Sequence, residues 1–153
     1  MLASKTLYET DFNLWLEETA ELLRNGKLKH LDIENLLEEI EGMSRREKDA
    51  LESNLIRVLQ HLLKWNYQSN KRTSSWAYTI YEHSRRLNKA LKNSPSLKRY
   101  FDTVFDECYQ EARKAAALET RLPLKTFPEL SPFTKSDVLE INPDDYLVDE
   151  KDF

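Results

Sequence analysis

Only two glycines occur in 153 residues, and that scarcity constrains the fold more than any other feature, because it leaves few sites for tight backbone turns. Gly26 follows an asparagine and Gly42 stands just before Ser44, so both read as helix punctuation rather than parts of a phosphate-cradling loop. A nucleotide-binding fold is thereby disfavoured. What fills the space between punctuation marks is apolar residues at spacings of three and four, the period of an amphipathic helix. Phe12, Trp15, Leu16, Thr19, Leu22 and Leu23 predict a first helix over residues 11–24, stopped by Asn25-Gly26. Asp32 is placed to cap a second, short and acidic helix with the stripe Ile33, Leu36, Leu37 and Ile40 and a coat of Glu34, Glu38, Glu39 and Glu41.

Ser44-Arg45-Arg46-Glu47 fits a capping box and predicts the start of a long third helix with the stripe Leu51, Leu55, Val58, Leu59, Leu62 and Trp65, ending near Tyr67. Ser74 or Ser75 is the expected cap of a fourth helix carrying Trp76, Ile80, His83, Leu87, Ala90 and Leu91, which Asn93-Ser94-Pro95 terminates. Ser96 opens a fifth helix with Leu97, Phe101, Val104, Phe105, Cys108, Ala112 and Ala115, fading near Thr120. Pro123, Pro128 and Pro132 then punctuate an extended segment expected to wrap the bundle through Leu122, Leu124, Phe127 and Phe133. A short helix over residues 134–140 and a frayed acidic tail over 142–153 complete the reading. The expected fold is all-α, an antiparallel bundle of about five helices with an extended proline-containing C-terminal segment. The bundle and its wrapping segment form one domain over residues 8–133, followed by 134–153.

With 40% hydrophobic residues the chain has material for a core, and no apolar run approaches the roughly 18 residues of a membrane span. The first twelve residues lack an apolar signal core, so a cytoplasmic location is expected. A single cysteine, Cys108, excludes an internal disulfide and a multi-cysteine zinc site, and its place in an apolar stripe marks it as a core residue. Charge is uneven. Residues 1–44 hold 4 Lys/Arg against 10 Asp/Glu, residues 45–116 hold 15 against 8, and residues 117–153 hold 4 against 9. A basic middle between acidic ends either faces a polyanion or is neutralised by its own neighbours.

The polar chemistry concentrates on the third helix, where Asn54, Arg57 and His61 share a flank roughly 60 to 120° from the centre of the apolar stripe. Arg72 lies just past the helix and could fold back toward them. A histidine beside arginines suits metal-independent cleavage of RNA, with His61 moving a proton and Arg57 or Arg72 holding the phosphate. The plainer reading has His61 and Arg57 bridge helices by bonding acids such as Glu38 or Glu39. His83, inside its helix's apolar stripe, is expected to be satisfied by a tyrosine hydroxyl or a backbone carbonyl. No metal-ligand spacing appears around the histidines, and no cofactor is implied. Lys64, Trp65, Tyr67, Lys71, Arg72, Trp76 and Tyr78 interleave cations and aromatics as a single-strand stacking surface would, with Arg85, Arg86, Lys89, Lys92, Lys98 and Arg99 extending the basic region. Against this, tryptophans at helix ends more often plug the core, and a pI near 5.5 is unlike most dedicated nucleic-acid binders.

The run HLLKWNYQSNKRTSSW over residues 61–76, with IENLLEEIEG upstream and SPSLKRYF and ETRLPLKTFPELSPFT downstream, resembles the bacterial domain of unknown function 29 (DUF 29) family. The resemblance covers roughly residues 8–133. It rests on Trp15, Leu36, Glu38, Glu39, Glu41, His61, Leu63, Lys64, Trp65, Gln68, Arg72, Ser75, Trp76, Ser94, Pro95, Ser96 and Leu97, and departs from the family pattern at Gln68-Ser69, where Gln-Pro is usual. It implies a bacterial, often cyanobacterial, cytoplasmic all-helical protein and assigns no catalytic role. The sequence therefore predicts a non-enzymatic helical interaction module, self-associating or binding a protein or nucleic acid. Its expected contact residues are Asn54, Arg57, His61, Lys64, Trp65, Lys71, Arg72 and Trp76, in a polar groove between the second, third and fourth helices. The alternative is a small ribonuclease of the toxin kind built on His61, Arg57 and Arg72.

Overall fold

Helices start after Asp11, Asp32, Thr73 and Thr134, where in each case the side chain accepts from a free amide of the first turn. The computed structural model describes residues 4–147. The first helix, α1, spans Ser4–Thr10 and was not foreseen from the sequence; α2 spans Phe12–Arg24, with the Asp11 carboxylate accepting from Leu14 N at 3.1 Å. Gly26, at φ 68°, supplies the left-handed turn that ends α2.

The predicted second and third helices are one element, α3, running Ile33–Tyr67 for 35 residues, with Asp32 accepting from Asn35 N at its start. Gly42 and Ser44 lie inside it, so neither the predicted stop nor the predicted capping box exists. One glycine costs a helix only about 1 kcal/mol, and the good helix formers on either side carry the backbone through it. Helix α4 spans Ser74–Asn93 and is capped by Thr73, one residue before the serines expected to do so, its hydroxyl accepting from Trp76 N at 3.2 Å. Helix α5 spans Leu97–Thr120 and ends on Arg121 at φ 60°. Helix α6 spans Lys135–Leu139 behind a capping box of Thr134 and Asp137. The described residues contain no strand.

The chain divides into two compact units, Met1–Arg46 and Glu47–Phe153, whereas the sequence placed its boundary after residue 133. In the first, Leu7 and Trp15 are buried, and Tyr8, Phe12 and Trp15 pack ring against ring with centroids 4.8 to 5.8 Å apart. Tyr8 Oη donates to Glu39 at 2.5 Å. The second unit holds the large core. Leu51, Leu55, Val58, Leu59, Leu62 and Leu63 of α3 meet Ile80 and Leu87 of α4 and Phe101, Val104, Phe105, Cys108, Tyr109, Ala112 and Ala116 of α5.

The segment after α5 is held by its carbonyls, as an extended proline-bearing chain cannot satisfy them itself. Tyr109 Oη donates to Pro128 O, Gln110 Nε2 to Glu129 O at 2.7 Å and Arg113 Nε to Phe127 O at 3.0 Å. Farther on, Ser84 Oγ donates to Val138 O at 2.6 Å and Asn88 Nδ2 to Leu139 O at 2.8 Å. Phe127 and Val138 are fully buried and Leu122 and Phe133 half-buried, but the expected anchor Leu124 is exposed. The predicted tail is in part a packed element: Ile141 and Tyr146 lie against the core, and residues 148–153 fall outside the described residues.

Candidate functional site

The residues expected to act together separate into three clusters. Near the middle of α3, Asn54 Oδ1 accepts from Nδ1 of His83 on α4 at 2.7 Å, so His83 is satisfied by a side-chain amide rather than by the tyrosine or carbonyl expected. That bond places the imidazole proton on Nδ1 and leaves Nε2 as an acceptor. His83 is held below its ordinary pKa by burial, then by the Arg86 and Arg57 guanidiniums. Arg86 is itself engaged, donating to Glu82 at 3.2 Å, and Glu82 is held at about 2 mainly by its hydrogen bonds from Arg85 and Arg86. Arg57 is different. It is exposed and makes no ion pair among the described residues.

One turn along, His61 is only 7% exposed, and its Nδ1 donates to the backbone carbonyl of Arg57 at 2.9 Å. The expected bridges to Glu38 and Glu39 do not form: Glu38 pairs with Arg45 and Glu39 receives Tyr8. Burial lowers the His61 pKa first; the carbonyl of Arg57 opposes this, and Lys64 and Arg57 add to the lowering. The Arg57 guanidinium therefore depresses both imidazoles, and both are neutral near pH 7 with Nε2 bare. Asn54, Arg57 and His61 are brought together as their spacing implied, and His83 with Arg86 joins them from α4.

The second cluster belongs to Lys64, which is 2% exposed. Its ammonium bonds Glu119 Oε1 of α5 at 2.6 Å and sits 4.4 Å from the centroid of the Trp76 ring. Gln60 Nε2 adds a bond to the other Glu119 oxygen at 2.5 Å. Burial works to raise the Glu119 pKa, but the Lys64 bond and charge prevail and hold it low. In the third cluster Arg72 does fold back, though onto Trp65 instead of His61. Its Nε donates to Trp65 O at 2.9 Å, its Cζ lies 4.8 Å from that ring, and Tyr146 covers the ring at 5.3 Å. Lys71 remains exposed in the turn between α3 and α4.

Of the aromatic and cationic side chains that read as a stacking platform, Lys64 pairs with Trp76 and Arg72 with Trp65, whereas Tyr67, Lys71 and Tyr78 stay exposed. Trp65 is buried against Arg72 and Tyr146, and Trp76 is half-buried with the Lys64 ammonium on one face. No local pattern marks Glu119 or Tyr146, which arrive from elements 55 and 81 residues away from their partners Lys64 and Trp65. Among the described residues no three His, Cys, Asp or Glu side chains converge on a point where a metal ion could sit. A cleft of about 140 Å³ opens beside Asn54, its wall largely apolar with Ala50, Leu51, Ala90 and Leu97 and its polar groups supplied by Glu47, Asn54, Asn93 and Ser94. What the α3–α4 flank offers chemically is one guanidinium without an ion pair among the described residues, two imidazole acceptors and a small, largely apolar cleft.

A family model described as Domain of unknown function DUF29 matches residues 7–143. No curated protein and no solved structure matches the chain.

Proposed function

The chain belongs to the DUF29 family, whose description carries no activity, and from that premise we propose that it is a non-enzymatic helical interaction module that grips an acidic segment of a protein partner along the α3–α4 flank. The observation that carries this reading is Arg57, an exposed guanidinium that makes no ion pair among the described residues and lies close enough to His61 and His83 to depress both imidazoles. A carboxylate accepted there gains a bidentate partner. It would also raise the depressed imidazole pKa values, so binding strengthens as pH falls. Nucleic acid is the weaker partner on this geometry, because Trp65 is buried and Lys64 occupies one face of Trp76, which leaves Tyr67 and Tyr78 as the exposed rings of the expected stacking surface.

A polyglutamate peptide titrated into the protein at low salt is expected to bind, and Arg57→Ala to weaken that binding by about tenfold, the usual scale for an interfacial arginine. Equal binding by both proteins would remove Arg57 from the site. The second reading, a metal-independent ribonuclease, is favoured by one feature: two neutral imidazoles flank the same guanidinium. Arg72 takes no part in that arrangement, so the phosphate would fall to Arg57. Incubation with total RNA in EDTA decides it, since cleavage by the wild type and none by His61→Ala would replace the interaction reading with the catalytic one.

A further inference from the structure

The unit formed by residues 1–46 leaves most of its large apolar side chains in water. Phe12, Leu16 and Leu23 share one face of α2, and Ile33, Leu37 and Ile40 share one face of α3, and all six are between 40% and 60% exposed. Summed over the two stripes, one on each helix, this is about 500 Å² of uncovered apolar surface. Beside the α3 stripe run Glu34, Glu38 and Glu41: Glu38 pairs in the open with Arg45 at 3.3 Å, and Glu41 makes no hydrogen bond or ion pair among the described residues. Across residues 1–46, six Lys/Arg stand against ten Asp/Glu.

We infer that this face is a docking surface for an amphipathic helix of another protein whose apolar stripe is flanked by lysines or arginines. The apolar stripes supply the buried centre of the interface and the glutamates its polar rim, where opposite charge fixes register and speeds encounter. The same rim argues against a second copy of the chain, which would bring a like-charged border against it. None of these stripe and rim residues belongs to the α3–α4 flank.

The test uses the full chain and a synthetic Leu/Lys peptide of about 18 residues whose leucines recur every three or four positions. A scrambled peptide of the same composition and a Leu/Glu peptide serve as comparisons, and calorimetry reads binding. The Leu/Lys peptide is expected to bind and the other two to fail. Leu37→Gln/Ile40→Gln, which keeps the charge, and Glu38→Gln/Glu41→Gln, which keeps the stripe, should each weaken binding by about tenfold. All four positions are on the surface, and circular dichroism checks that the variants fold. Phe12→Gln/Leu16→Gln replaces the first pair if it does not. Absence of binding overturns the inference, as does equal affinity for the scrambled peptide or indifference to the loss of the apolar stripe. Sedimentation of the unliganded chain as a dimer that Leu37→Gln/Ile40→Gln dissociates would hand the face to a second copy. Arg57→Ala should leave peptide binding unchanged, so this result and that for the α3–α4 flank stand or fall separately.

Discussion

At His61 and His83 the position of a proton is decided by an oxygen that only accepts: a backbone carbonyl in one case, an amide oxygen in the other. Both pKa values are lowered chiefly by burial, so the folded state resists protonation that the unfolded chain, near 6.5, accepts. Stability from these groups is therefore complete above about pH 6.5 and is lost as pH falls from there through the lowered folded values. Urea unfolding between about pH 7.5 and 5 is expected to show that decline, and His61→Gln to make it shallower. An unchanged slope would mean that His61 is protonated equally in both states. The flank of Asn54, Arg57 and His61 was legible because three- and four-residue spacing on a helix is a local property. The bond partners were not, since His83 lies 29 residues from Asn54 and Glu119 lies 55 from Lys64, distances that only helix packing closes.

Among the elements, α3 shows how punctuation can mislead. A glycine followed by Ser-x-x-Glu carries the marks of a stop and a restart, yet intrinsic propensity on either side prevailed. Gly42→Ala separates the two readings. A Cβ there would meet only the guanidinium ends of Arg46 at 3.3 Å and Arg45 at 3.5 Å, which move easily, so the substitution is expected to stabilise by about 0.5 to 1 kcal/mol in thermal unfolding. Destabilisation would mean that the backbone at Gly42 needs the freedom of glycine. Where caps and stops agreed with the apolar period, as in α2, α5 and α6, the sequence located the helices to within about a residue. It missed α1, whose seven residues are too few to show a period.

For the molecule as a whole, the blocks of charge visible in the sequence have local counterparts: exposed apolar stripes beside glutamates in residues 1–46, and the exposed Arg57 guanidinium on the α3–α4 flank. Which apolar residues stay uncovered could not be read in advance, because periodicity marks a stripe without saying whether anything packs on it. Cys108 offers a global probe. Burial pushes its thiol up to about 12, with Glu52, Glu107 and Glu111 adding to the effect, so thiolate chemistry in the native state is suppressed. Labelling by a thiol reagent at about pH 8 should be slow and should accelerate with urea in step with unfolding. Rapid labelling that urea does not alter would place Cys108 in a locally opening region. The strap after α5 has a kinetic consequence. Its bonds to α4 join residues 54 and 51 positions apart, while the helices it crosses close their own bonds over four. Loop closure of that length makes its docking a late folding step, and makes the stretch around Val138 the first of the second unit's core to trade its amide protons with heavy water.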